Sequence, residues 1–183
     1  MIYFALKTIS ESLNTYIKNR FSLSKDKVIL SEVIDKDSQE AATDKDKIAL
    51  TLINIQQEKN INKTSHATST PAPLHLNLFL MFSVYFGEDG SYEESLKELS
   101  AVISFFQAKH VFNHQNTPDL HHNIDKLVFE FLNHDLQNLS YIWGMLGGKY
   151  VPSVMYKVRM ITIQEGSFDN FPPVFTGFGS GNF

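Results

Sequence analysis

Residues 73–86 read PLHLNLFLMFSVYF, and the alternation in this stretch decides the fold. Leu74, Leu76, Leu78, Leu80, Phe82, Val84 and Phe86 fall on one side of an extended chain, because successive side chains of a strand point to opposite faces. The opposite side is apolar too, with Phe79, Met81 and Tyr85. A strand that is greasy on both faces belongs at the centre of a sheet, or has its second face covered by a helix or a neighbouring subunit.

Upstream of this strand, residues 60–73 are dominated by Asn, Thr, Ser and Pro and hold almost no large apolar side chain, so ordering them would cost entropy that burial could not offset. A mobile loop is expected there. Before it, DKIALTLINIQQE from Asp46 to Glu58 alternates at Ile48, Leu50 and Leu52 and then shifts phase to Ile53 and Ile55, the mark of a strand with a bulge. The charge-rich segment from Asp35 to Asp46 predicts an exposed loop, and Val28 to Leu30 a short strand. At the N-terminus Ile2, Leu6, Ile9, Leu13 and Tyr16/Ile17 recur at helical spacing, with Lys7, Glu11, Asn14 and Lys18 placed on the other side.

Downstream, Gly87 to Gly90 makes a turn, and Ser91 with Glu94 has the spacing of a capping box. The helix begun there carries a stripe of Tyr92, Leu96, Leu99, Ile103 and Phe106. Leu127, Phe129 and Phe131, with Val128 and Leu132, fit either a strand or a helical piece continuous with the next helix. Asp135 is placed to cap that third helix through Leu136, Leu139, Ile142/Trp143 and Leu146, stopped by Gly147-Gly148 in left-handed conformation. After Pro152, Val154, Tyr156, Val158 and Met160 alternate with Met155, Lys157, Arg159 and Ile161, giving a last strand with two cations on one face. The final stretch, Gln164 to Phe183, has four of the nine glycines, no Lys or Arg, and Phe168, Phe171, Phe175, Phe178 and Phe183. It cannot build a core alone, so it is expected to lie on this domain or on another chain.

These elements predict an α+β fold: one domain over 1–163, its mixed or antiparallel sheet of about four to six strands packed by about three helices, with a Phe/Gly-rich tail over 164–183. The length of 183 residues fits one domain. Sixteen Lys and Arg against twenty Asp and Glu leave a formal charge of −4, which provides no global field for nucleic acid or anionic lipid. There is no cysteine, which removes disulfides, thiolate metal sites and thiol nucleophiles. Lys7 interrupts the apolar N-terminus too early for a signal peptide, and no stretch has the roughly 20 apolar residues of a membrane helix.

The motifs of catalysis are equally thin. His110 and His114 flank the expected end of the second helix and need not share a face, and His121-His122 are adjacent, so no metal-ligand spacing emerges. Asp35, Asp37, Asp44 and Asp46 lack the glycine and terminal glutamate of a calcium loop. Gly144 to Lys149 does not satisfy the phosphate-loop pattern, and Gly177 to Gly181 precedes no helix. No cofactor or metal is called for, and no catalytic residue stands out.

Several blocks, in order, resemble the N-terminal domain of the cap, or tail-terminator, proteins of extracellular contractile injection systems, the phage-tail-like particles typified by the anti-feeding prophage and the Photorhabdus virulence cassettes. They are ALKTISESLNTYIKNRF from Ala5, DKIALTLINIQQE from Asp46, PLHLNLFLMFSVYF from Pro73, YEESLKELSAVISFFQ from Tyr92, VFNHQNTP from Val111 and WGMLGGKYVPSVMYKVRM from Trp143. The resemblance implies a tail-terminator-like fold and a non-enzymatic structural cap, a homohexameric ring at the end of tube and sheath distal to the baseplate. It implies assembly in the bacterial cytoplasm, incorporation into a particle that can be released, and as partners the chain itself with the tube and sheath proteins, without nucleic acid or membrane insertion. Larger members look longer at the C-terminus.

A ring needs one patch that meets a different patch on the next copy. The candidate interface residues are Lys157 and Arg159 on the last strand and Phe168, Phe171, Phe175, Phe178 and Phe183 of the acidic tail, within or between chains. Two other readings fit the sequence: a non-catalytic adaptor or chaperone for another assembly, and a small enzyme with a dispersed site.

Overall fold

The computed structural model describes residues 1–32, 46–58, 75–85, 91–147 and 150–162. Along the chain these form α1 (Ile2–Phe21), β1 (Val28–Leu30), β2 (Lys47–Gln57), β3 (Leu76–Tyr85), α2 (Tyr92–Ala108), β4 (Val111–Asn113), β5 (Ile124–Leu132), α3 (Leu136–Met145) and β6 (Ser153–Thr162). The strands make one six-stranded sheet in the order β1-β2-β3-β6-β5-β4. Only β1 and β2 run parallel, so the sheet is mixed. The expected α+β class is what the chain adopts, and the three helices and six strands of the described residues lie within the expected about three and four to six.

β3 is central, between β2 and β6, as its two-sided apolarity requires. On the first face Leu78, Leu80, Phe82 and Val84 line up with Val158, Tyr156 and Val154 of β6 and are sealed by α1 and α2. Aromatic rings fill this layer: Phe106 of α2 stacks on Phe129 of β5 with centroids 4.3 Å apart, and meets Tyr156 at 4.8 Å and Phe82 at 5.1 Å. Burial pushes the Tyr156 phenol up to about 12. On the second face Ala49, Met81, Tyr85 and Met155 pack with Trp143 of α3 and Val151.

The phase shift in β2 is a bulge, where the register with β3 slips between Leu52 and Asn54. Residues Leu127 to Leu132 belong to a strand, β5, and not to a helix. Ser91 caps α2, its side chain accepting from the Glu93 N–H, and Asp135 caps α3 by accepting from the Asn138 N–H at 2.7 Å. Gly147 has φ of 69°, the left-handed stop expected at the end of α3. The loop expected over 60–73, most of the Asp35–Asp46 segment, Gly87–Gly90 and the tail lie outside the described residues.

Three readings need correction. The face that α2 buries is Ser95, Glu98, Ala101, Val102, Phe105 and Phe106, which leaves Tyr92 and Leu96 exposed. The paired phenylalanines draw the helix round, because two rings outweigh one leucine in buried area. β4 has only three residues, too few to show a pattern in the sequence, and is an addition to the expected elements. Asn14 is buried and faces the sheet, whereas the polar/apolar alternation puts it outside. Its Oδ1 accepts from the backbone N–H groups of Lys27 (2.9 Å) and Val28 (2.8 Å), and its Nδ2 donates to the Val28 carbonyl at 2.9 Å. On the other side of β1, the Lys27 carbonyl accepts from Ile48 N–H, and Ser31 N–H donates to the Leu50 carbonyl. Among the described residues β1 has no strand on its other side, and the amide of Asn14 takes that place.

A small ion network ties the start of β1 to α2. Lys27 Nζ lies 2.5 Å from Asp46 Oδ2 and 2.9 Å from Glu98 Oε1. Burial pushes the Glu98 carboxyl above its ordinary value, while the hydrogen bond and charge of Lys27 pull it back. Burial alone would lower the Lys27 ammonium, but its hydrogen bonds to Asp46 and Glu98 outweigh that and raise it.

Asn14→Ala strips two backbone donors and one acceptor of their partner and is expected to cost about 2 to 4 kcal/mol, read as a lower urea midpoint. Lys27→Met strands a buried carboxylate and is expected to cost about 3 kcal/mol at neutral pH. A carboxyl whose folded pKa is raised stabilises the fold below its unfolded value and loses that contribution as the pH rises through the folded value. Lys27 stays charged throughout this range. The gap between Lys27→Met and the parent, measured by urea melts at pH 7.5 and 4.5, should therefore shrink in acid; an equal or wider gap would rule out Glu98 as the cause.

Candidate interaction surface

Among the described residues the sheet's first face is closed by two helices, whereas α3 covers only one end of the second, the end where β6 begins. Beyond α3 that second face carries Lys157 and Arg159, two residues apart on β6 and pointing the same way. Lys157 stands between Phe79 of β3 and Glu130 of β5, and its Nζ lies 3.4 Å from the Glu130 carboxylate. Arg159 stands between Asn77 of β3 and Val128 of β5, with its Nε 2.9 Å from Glu58 Oε2. The two cations predicted from sequence therefore share a patch, flanked by Asn54, Gln56, Phe79 and Val128. Phe168, Phe171, Phe175, Phe178 and Phe183 lie outside the described residues.

Asn77, beside Arg159, is only 7 % exposed, and its Oδ1 has no hydrogen-bond partner. A buried acceptor left in this state costs stability, so it is a feature that folding alone does not call for. The alternation of β3 marks its position on the second face, but nothing in the sequence marks it as unpaired.

The far edge of the sheet repeats the device seen at β1. Asn116, in the turn after β4, donates from Nδ2 to the Val111 carbonyl (2.8 Å) and accepts at Oδ1 from the Asn113 N–H (3.1 Å). Both terminal strands thus have backbone groups engaged by an asparagine amide, which disfavours strand addition at those edges.

α3 leaves most of its apolar side chains partly or fully in solvent. Of its residues only Trp143 is buried, while Leu136, Tyr141 and Met145 face solvent. Leu136, expected among the inward residues of this helix, is 86 % exposed. A groove of about 440 Å³ is lined by Leu136, Leu139, Ser140, Trp143 and Tyr150.

Among the described residues no group of three or more His, Asp or Glu side chains is arranged to hold a metal ion, and no helix is long and apolar enough to cross a membrane. His121 and His122 stack on each other with centroids 4.3 Å apart, and His121 stacks on Phe4 at 4.4 Å. His110 serves through its backbone, its carbonyl accepting from Phe129 N–H.

Taken together, these features describe an α+β domain whose mixed sheet is covered by α1 and α2 on one face and carries α3 and a charged and apolar patch on the other. The chain belongs to the family described as the Pvc16 N-terminal domain, which it matches over residues 6–176. Among solved structures it is similar to the sheath/tube terminator of the extracellular contractile injection system PVC, in the extended state, with a TM-score of 0.59 at 15% identity. That alignment covers 100% of this chain and 64% of the other, so the chain spans less than two thirds of that terminator's length. It is also similar to the anti-feeding prophage cap, described as the AFP tube terminating cap, with a TM-score of 0.48 at 14% identity over 92% of this chain and 60% of that one. No curated protein matches it significantly. The fold is thus of the tail-terminator type.

Replacing Asn77 by Leu removes the orphan acceptor. The isolated chain is expected to be as stable as the parent or more stable, by up to about 1 kcal/mol, in thermal and urea melts. A clear loss of stability would mean that the Asn77 amide serves the fold itself.

Proposed function

We propose that the chain is a structural, non-catalytic cap of a contractile injection particle: identical copies close into a homohexameric ring that ends the growth of tube and sheath at the end distal to the baseplate. The observation that carries this reading is the alignment of the whole chain on a sheath/tube terminator, together with membership of the Pvc16 N-terminal domain family. Assembly takes place in the bacterial cytoplasm, and the finished particle carries the cap with it. The partners are other copies of the chain and the tube and sheath proteins.

The physical mechanism is steric and adhesive. A closed ring matches the last layer of the particle on one side and presents no copy of that layer's surface on the other, so addition stops. Copies meet, or engage the particle, through the second face of the sheet with Lys157 and Arg159, a surface to which the acidic Phe-bearing tail over 164–183 adds whether it lies on its own domain over 1–163 or on the next copy. Each tail phenylalanine buried at such a contact contributes about 1.5 to 3 kcal/mol before ordering costs. The engaged edges at β1 and β4 favour this route over edge-to-edge pairing.

Native mass measurement and electron microscopy test the proposal directly. A ring from the purified chain, and overlong or ragged particles in cells lacking it, are expected. A protomer that stays single at high concentration, together with normally finished particles in those cells, would refute it. Deleting Phe168 to Phe183 should weaken ring or particle contacts while the circular dichroism of the domain is kept; unchanged ring mass and capping would remove the tail from the interface.

A further inference from the structure

We propose that the groove on α3 is the seat of the chain's own segment Phe171-Pro172-Pro173-Val174-Phe175, held in extended polyproline conformation with one of its carbonyls accepting from the indole N–H of Trp143. The first observation is the unmet donor. Trp143 is 4 % exposed, lines the groove, and its Nε1 is buried without an acceptor. Buried indole N–H groups ordinarily find a partner. Tyr150, 62 % exposed and set edge-on to the Trp143 ring at 5.8 Å, is the side chain that moves aside to admit one.

The chemistry of the groove selects the occupant. From Leu136 to Gly147 there is no charged residue, and residues 171–175 have none either. Two successive prolines bring carbonyl acceptors without N–H donors that an apolar groove would leave unsatisfied, and they fix the backbone before binding, which lowers the ordering cost. Aromatic-lined grooves are the usual receptors for such segments. The flanking phenylalanines have Leu136 and Leu139 to pack against.

Chain length gives the same answer. β6 begins at Ser153, beside Met155 in the Trp143 cluster, and runs away from α3 to Thr162. That is nine steps, or about 30 Å at the rise of a strand. An extended chain that turns back after Thr162 needs about nine residues to cover the same distance, which brings Phe171 level with the groove. On that path Glu165 comes level with Arg159. The family match also continues through this segment, to residue 176. Tethering in the same chain raises the effective concentration of the segment to about the millimolar range, so modest contacts suffice.

Trp143 is the only tryptophan, so its fluorescence and the single indole cross-peak of the ¹⁵N-labelled full chain report the groove alone. In the parent the indole N–H is expected to be protected from exchange and the ring shielded from acrylamide. Phe171→Ala/Phe175→Ala should abolish the protection, move the cross-peak and shift the emission to the red, and Leu136→Ser, at an exposed wall of the groove, should do the same. Phe178→Ala should change none of these. Signals unaltered in Phe171→Ala/Phe175→Ala would overturn the proposal, and so would protection that appears only as protein concentration rises, since the segment would then come from a second copy. Native mass of the same samples reads ring formation separately, so the two proposals fail independently.

Discussion

The organisation of the molecule rests on one constraint: a ten-residue strand, β3, is apolar on both faces and has to be covered twice. Flanking strands satisfy its backbone, two long helices bury its first face, and a shorter helix takes part of the second. The aromatic layer around Phe82, Phe106, Phe129 and Tyr156 is the result on the first side, with rings meeting at angles that edge-to-face and offset packing favour. On the second side the cover given by the described residues is incomplete. What remains there is a patch with Lys157, Arg159 and a buried acceptor on Asn77, next to a helix that keeps most of its apolar surface in water.

Much of this architecture is legible in the amino acids because alternation and caps are local signals. The β3 pattern, the phase shift that becomes the bulge after Leu52, the caps at Ser91 and Asp135 and the left-handed Gly147 each depend on a few neighbouring residues. What cannot be read depends on partners far away in the chain. Asn14 looks like a surface residue of an amphipathic helix until Val28 arrives beside it, 14 positions later, with backbone groups to satisfy. The rotation of α2 has the same origin, since Phe105 and Phe106 are both apolar and only the strands beneath decide which way the helix turns. β4 is too short for any alternation to show.

The candidate surface is half legible. That two cations share a face of the last strand can be deduced from their spacing, and the structure supplies their setting, with Glu58 and Glu130 as partners. The significance of Trp143 is hidden, because the stripe of α3 presents it as one more core residue and only its unpaired Nε1 distinguishes it.

The asparagines at the two ends of the sheet bear on whether the protein aggregates through its strands. A sheet with bare outer strands is a template for amyloid-like zippering. Asn14 and Asn116 spend their amides where an intruding strand would have to bond. An incoming strand would have to displace those amides before it could extend the sheet.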